Sequence, residues 1–451
     1  MNTQRRCRAT ACRAAARKDT LGALHVKLWT ITLAFSLATL FAACQPDTPP
    51  QPTIQLEIEQ ITHGPQEHFF GYIGHVQNIP WNGSGRYILA MRVGFHDHMP
   101  AAADAADIVL IDTENDSAVR KIEATRAWNP QQGTMFYWNL EAPDTQFFFN
   151  DRDPETNRIF CVLFDIEENR RLREYRFDDT PFGNGGVSQT GGAFAGINYG
   201  RMARLRPVTG YPEAYDWTGE AMHPEDDGVF AVDVASGEKR LLVSFRQMRD
   251  ALIERHPRIA ETPLFINHTL WNRDGDRLYF YVRGNFGRRD IRINVPMTVR
   301  ADGSGLTEQT VFIGGHPEWE FGANMIGTVS RDGRDRLVLY DSDQQQVVEE
   351  LGSLEIFPDP GNDVALSPDG RWIVQGIGEG SKNAYAVYRR SDGAWAHTGW
   401  FDQREYDSGP LRIDEAPKWN RDSDRILFPS LTDEAEPTRQ LFMIRVIEAD
   451  R

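Results

Sequence analysis

The chain has 451 residues, 40% of them hydrophobic and 25% charged, with 49 basic against 65 acidic side chains. That composition excludes a disordered or collagen-like chain, and a net charge of −16 lacks the basic footprint of general nucleic-acid binding. It leaves room for one small basic pocket on an acidic shell.

Residues 1–43 carry a net +6, which leaves −22 on the rest. A basic start, an apolar run from Leu28 to Ala43 and small residues before Cys44 read as a secretory signal. The run is short for a membrane span. Phe41-Ala42-Ala43-Cys44 resembles the bacterial lipobox, with Phe41 where an aliphatic residue is usual. The resemblance implies cleavage before Cys44 and lipidation of its thiol. It makes the chain an exported lipoprotein of the cell envelope, periplasmic or on the outer surface. The other reading is an ordinary signal peptide with an incidental cysteine. Residues 44–53, with four prolines, read as a tether. Cys161 lies in the apolar run 159–164 and reads as a buried, inert thiol.

From residue 54 onward the chain reads as short β-strands separated by Gly, Asp, Asn and Pro. A small turn recurs seven times, at Trp81-Asn82, Trp138-Asn139, Ser188-Gln189, Trp271-Asn272, Ser330-Arg331, Ser367-Pro368 and Trp419-Asn420. Each is followed by a second hairpin, at 108–122, 159–175, 228–243, 295–312, 338–351, 384–400 and 440–447. Seven such units predict an all-β fold, a seven-bladed β-propeller over 54–451. The strand-like segment 53–61 can complete the last blade and close the ring. One amphipathic helix is expected over 244–256.

Polar residues on innermost strands are the site candidates. His268 and His316 stand at matching places of adjacent units, and Asn362-Asp363 and Asp414-Glu415 at corresponding places of the last two. In 198–206, read as a strand, Arg204 and Arg206 share a face. Trp128-Asn129 with Gln132 forms a polar, aromatic-flanked turn, and Arg283 ends the strand after the Trp271 turn. His96 and His98 read as solvated surface rather than a metal pair, and Arg288-Arg289 as an exposed pair. No nucleophile elbow, zinc-protease helix, P-loop or dinucleotide fingerprint occurs. What remains is acid/base chemistry or binding.

Residues 125–133, Tyr199-Gly200-Arg201 through Arg206-Pro207, Gly210-Tyr211, Asp226-Asp227-Gly228, Asn267-His268, Gly315-His316 and 367–373 occur in that order. The set resembles the seven-bladed propeller polysaccharide lyases, the oligogalacturonate and propeller ulvan lyases. The resemblance implies β-elimination on a uronic-acid polysaccharide such as ulvan or pectin fragments. It casts His316, His268, Arg201 and Tyr199 as catalytic, and Trp128, Asn129, Gln132, Arg204 and Arg283 as substrate-binding. It further implies a divalent metal (Mn, Ca or Zn), for which Asp363 and Asp414 are the candidate ligands. Expected partners are an anionic polysaccharide or oligosaccharide and, through the lipid anchor only, a membrane; the chain reads as a monomer that binds no nucleic acid. Two departures stand out. The family's Tyr sixteen residues before the matched Arg is Gly185 here, and a metal-binding His is replaced by Asn362. They keep a second expectation open, a non-catalytic envelope propeller for binding or assembly.

Overall fold

The computed structural model describes residues 54–70 and 78–448. The signal segment, Cys44 and the tether lie outside the described residues. Within them, seven antiparallel sheets follow one another along the chain, each a meander of four strands. The sixth also takes a short fifth strand, Phe401–Asp402, against Lys382–Arg389. The seventh consists of Lys418–Trp419, Arg425–Leu431, Arg439–Glu448 and the early strand Ile54–Gln60. Ile54–Gln60 runs antiparallel to Arg439–Glu448, with Ile54 opposite Glu448 and Gln60 opposite Phe442. The last blade of this seven-bladed β-propeller is thus built from both ends of the described chain.

Burial follows position within a blade. Ile159–Asp165, a third strand, is buried at all seven positions because neighbouring sheets cover both of its faces. The outermost strand Gln346–Glu350 is largely exposed, and Ala118–Thr125 is exposed or half-buried at all but its last position. This gradient is why third strands read as continuous apolar runs and fourth strands as charged ones.

The recurring tryptophans explain the repeat. Four of them end an innermost strand and send the indole N–H to a carbonyl of the preceding blade. Trp138 reaches Pro80 (2.8 Å), Trp271 reaches Gly186 (3.0 Å), Trp319 reaches Leu270 (2.9 Å) and Trp419 reaches Ala365 (3.1 Å). A large apolar ring fills the seam while its one donor fixes the register between blades. This corrects one expectation. The inner turn of the fifth blade follows Trp319, whereas Ser330–Gly333 joins the second and third strands, Asn324–Arg331 and Arg334–Asp341.

The expected helix forms over Phe245–Leu252. Ser244 and Gln247 make a reciprocal capping box, and Phe245, Met248 and Leu252 are buried. Pro257 opens a separate 3-10 turn, Pro257–Glu261. A second helix, Tyr199–Leu205, stands where a strand was expected. The Asn198 side chain accepts from the Arg201 N–H at 2.9 Å and starts it. Gly200 permits its packing, since a Cβ there would lie 2.3 Å from the Tyr215 carbonyl oxygen.

Candidate functional site

His268 and His316 each sit three residues before the closing tryptophan of an innermost strand, Phe265–Trp271 and Gly314–Trp319. At both places the pairing register slips, between Asn267 and Leu270 and between Gly314 and Glu318. Both histidines take left-handed backbone, φ 60° and 48°. Such bulges re-aim a side chain, and the strain they carry concentrates at functional sites. The result is convergence: the two imidazoles lie 5.0 Å apart, centroid to centroid.

Asp363 precedes the inner strand Val364–Leu366 of the sixth blade. It accepts from His316 Nδ1 through Oδ1, and from the Ala416 N–H at 3.0 Å through Oδ2. Ala416 also has positive φ and stands three residues before Trp419, the place in the seventh blade that matches the histidines. One buried carboxylate therefore ties three successive blades together. Burial acts to raise the Asp363 carboxyl, but His316 and the Ala416 N–H outweigh it and hold the group below the usual carboxylate range. With Nδ1 donating to Asp363, the neutral imidazole of His316 keeps its lone pair on Nε2, and the side chain is 31% exposed.

His268 is held differently. Gln132 Nε2 donates to Asn267 Oδ1, and Asn267 Nδ2 donates to His268 Nε2, both at 3.1 Å. This relay from the second blade places the ring proton on Nδ1. Burial first, then the positive charges of Arg283, His316, Arg206 and Arg412, keep His268 well below the ordinary imidazole value. It is a neutral N–H donor at neutral pH.

The arginines around it come from three connections. Arg283 ends the second strand of the fourth blade opposite Phe265, at the histidine end of the channel, and donates to Asn294 Oδ1 at 2.8 Å. Arg206 follows the helix of the third blade. Arg412 lies between the sixth and seventh blades and donates to Asp414 Oδ1 at 2.6 Å. Asp414 Oδ2 is buried with no hydrogen-bond partner among the described residues. Burial pushes the Asp414 carboxyl up against the pull of Arg412. Burial, with Asp363 and Asp414 nearby, pushes Glu415 up to about 8.

Several expected site residues are structural. Arg201 is 1% exposed. Its guanidinium donates to Thr218 Oγ1 and to the carbonyls of Leu264, Ala221 and Met222, so it cannot turn to a ligand carboxylate. Tyr199 is fully buried, stacks on Tyr211 at 4.1 Å and donates to the Asn184 carbonyl at 2.9 Å. Trp128 is 2% exposed and donates to the Asp104 carbonyl at 2.9 Å, so its ring is closed to a sugar face. Asn129 folds its own loop by accepting from the N–H groups of Gln131 and Gln132. Arg204 lies on the helix and pairs with Asp216 at 2.9 Å, away from any shared strand face with Arg206. Gln132 orients Asn267 rather than a ligand. Gly185 has no room for the family's tyrosine, because a Cβ there would meet Thr269 Oγ1 at 2.6 Å.

The metal ligands do not assemble. Among the described residues no three His, Cys, Asp or Glu side chains come together as a ligand set. Asp363 is taken by His316 and Ala416, and Asp414 by Arg412. The residues present thus do not fit the implied divalent metal. His96 and His98 diverge as well. His96 is buried, stacks on Tyr406 at 4.4 Å and meets the Leu411 carbonyl through Nε2, whereas His98 stacks on Phe95. Arg412 was not singled out from sequence, and Arg206 only as Arg204's companion. Loop arginines carry no periodic signal that could have found them.

The fold is a seven-bladed propeller in which adjacent inner strands bring together a histidine–carboxylate pair and a second, neutral histidine, with the charges of Arg283, Arg206 and Arg412 acting on the latter. Among solved structures the chain is similar to TolB from Acinetobacter baumannii, at 12% identity and a TM-score of 0.39, over 88% of this chain and 97% of that one. It is also similar to the β-propeller domain of the Trilobed protease from Pyrococcus furiosus, at 12% identity and a TM-score of 0.46, over 85% and 99%. A third similar structure is the β-propeller domain of Cps50 (Swd1) from Myceliophteria thermophila, at 12% identity and a TM-score of 0.41, over 85% and 98%. No family model and no curated protein matches the chain.

Proposed function

We propose that this propeller is a polysaccharide lyase that cleaves an anionic, uronic-acid-containing chain by β-elimination. The observation that carries the reading is the Asp363–His316 pair set 5.0 Å from His268 beside Arg283, Arg206 and Arg412. Elimination needs a base for the proton on C5, positive charge or donors on the adjacent carboxylate, and a proton for the departing oxygen on C4. His316 Nε2 takes the C5 proton. The C4–O bond breaks as the C4=C5 double bond forms, and the imidazolium, stabilised by Asp363, returns the proton to O4. Neutral His268 and the arginines hold the carboxylate while its charge spreads. They supply what the resemblance had assigned to Arg201 and Tyr199. In this reading the chain is exported, anchored by a lipid on Cys44, and works as a monomer on an anionic polysaccharide or oligosaccharide at the envelope.

The purified protein should release unsaturated uronate, followed by its ultraviolet absorbance, from at least one of ulvan, oligogalacturonate or a glycosaminoglycan. No product from any of them rejects the lyase reading.

Burial of Tyr199 and Arg201 and the crowding at Gly185 favour one other reading, a non-catalytic envelope propeller for binding or assembly. There, His316→Ala leaves the phenotype of the gene intact; a loss equal to deletion excludes it.

A further inference from the structure

The mouth holds more arginine than one carboxylate needs. Arg206, Arg283 and Arg292 all stack on a single ring, Phe286, with guanidinium carbons 4.1, 4.6 and 4.5 Å from its centroid. Phe286 and Arg292 belong to the connection between the second and third strands of the fourth blade, and Arg206 reaches them from the third. Arg292 Nε donates to the Phe286 carbonyl at 3.1 Å, and Arg206 Nη1 is buried without a hydrogen-bond partner among the described residues. Arg292 is exposed and Phe286 half-buried, so the cluster opens outward. Three like charges on one ring repel, in a protein whose net charge is −16. The aromatic face and the nearby Asp414 carboxylate offset part of that cost; a bound oxyanion would offset more.

We infer that the Phe286 arginine cluster is a second anion subsite, which takes a carboxylate or sulfate on the sugar next to the one that reacts. The inference rests on the reading of the site as one for uronate chains, and it makes the protein selective for glycans with acidic groups on neighbouring sugars. Burial first, then the charges of Arg283, Arg412 and Arg292, pull Arg206 down to about 9 against the opposing pull of Asp414. Planar guanidiniums gathered within 4.6 Å of one ring centroid can offer paired N–H donors to one oxyanion.

The test is calorimetric titration of the His316→Gln protein, in which turnover is removed. Three probes are used: methyl glucuronide with one carboxylate, a galacturonate trimer with carboxylates on consecutive sugars, and a chondroitin sulfate tetrasaccharide. Adding Arg292→Ala should weaken binding of at least one chain probe by roughly fivefold or more, while methyl glucuronide changes by less than about twofold. The chain that loses more identifies carboxylate or sulfate as the second group. An equal loss for all three probes, no loss for any, or no binding of any overturns the subsite. Unsaturated product from the unmodified protein tests the chemistry separately. Arg292-dependent chain binding without product keeps the subsite and rejects the lyase; product without an Arg292 effect does the reverse.

Discussion

His316 and Asp363 are hydrogen-bonded across the seam between the fifth and sixth blades, 47 residues apart in sequence. The contact exists because His316 leaves its strand on a left-handed backbone and Asp363 is pinned from behind by the Ala416 N–H. A base whose inner nitrogen is anchored this way keeps one tautomer and stabilises its own protonated form.

Replacing Asp363 by Asn should therefore lower kcat by about 10²–10⁴-fold with little change in KM. Asparagine can still accept from the Ala416 N–H, so the melting temperature should fall only slightly. Unsaturated-uronate release and thermal melting together decide the matter. Full activity in the variant rejects His316 as the base.

The arginines divide into two groups that mutation separates. Arg201→Ala deletes four hydrogen bonds in a buried site and should destabilise the fold by about 3 kcal/mol or more, read by urea unfolding. Arg412→Ala should cost the fold less than Arg201→Ala does, because the Asp414 carboxyl it leaves behind can take up a proton, and should act on kcat/KM. Equal stability losses would contradict the division.

Restoring the family's tyrosine should fail. In Gly185→Tyr the new Cβ meets Thr269 Oγ1 at 2.6 Å and Ile197 at 3.1 Å. Overpacking of this kind costs about 1–3 kcal/mol, so denaturation should come earlier with no gain in turnover. A gain in activity would show that the inner strand can yield.

Asp227 gives a pH signature away from the site. It accepts from Asn198 Nδ2 and from the Gly228 N–H, and burial pushes its carboxyl up to about 7 from 3.8. A carboxyl raised on folding contributes stability that is present below pH 4 and lost as pH rises through 7. Asp227→Asn should consequently raise the melting temperature at pH 8 and give little or no gain at pH 4. A difference that does not vary with pH would assign the effect to something other than the buried charge.

The sequence by itself determined the ring. Hairpin turns and alternating apolar runs are local chemistry, so seven repeats announce seven blades, and the two histidines stand out by falling at one repeat position. The early strand was legible too, because the last unit lacks a partner that residues near 54–60 supply. The fifth inner turn was misplaced, since Ser330-Arg331-Asp332-Gly333 has the same turn residues as a true inner turn and only sheet pairing separates them. The helix at Tyr199–Leu205 was missed because it spans about two turns, too few for periodicity to outweigh a cap. What only the tertiary structure decided is which charges face the channel. Arg201 and Arg206 are five residues apart, yet one is spent on the carbonyls of its own loop and the other stacks on a ring of the next blade. Arg412 meets them only when the connection before the seventh blade lies at the mouth. Charge placement is set by long-range packing of loops, and nothing in the spacing of arginines along the chain encodes it.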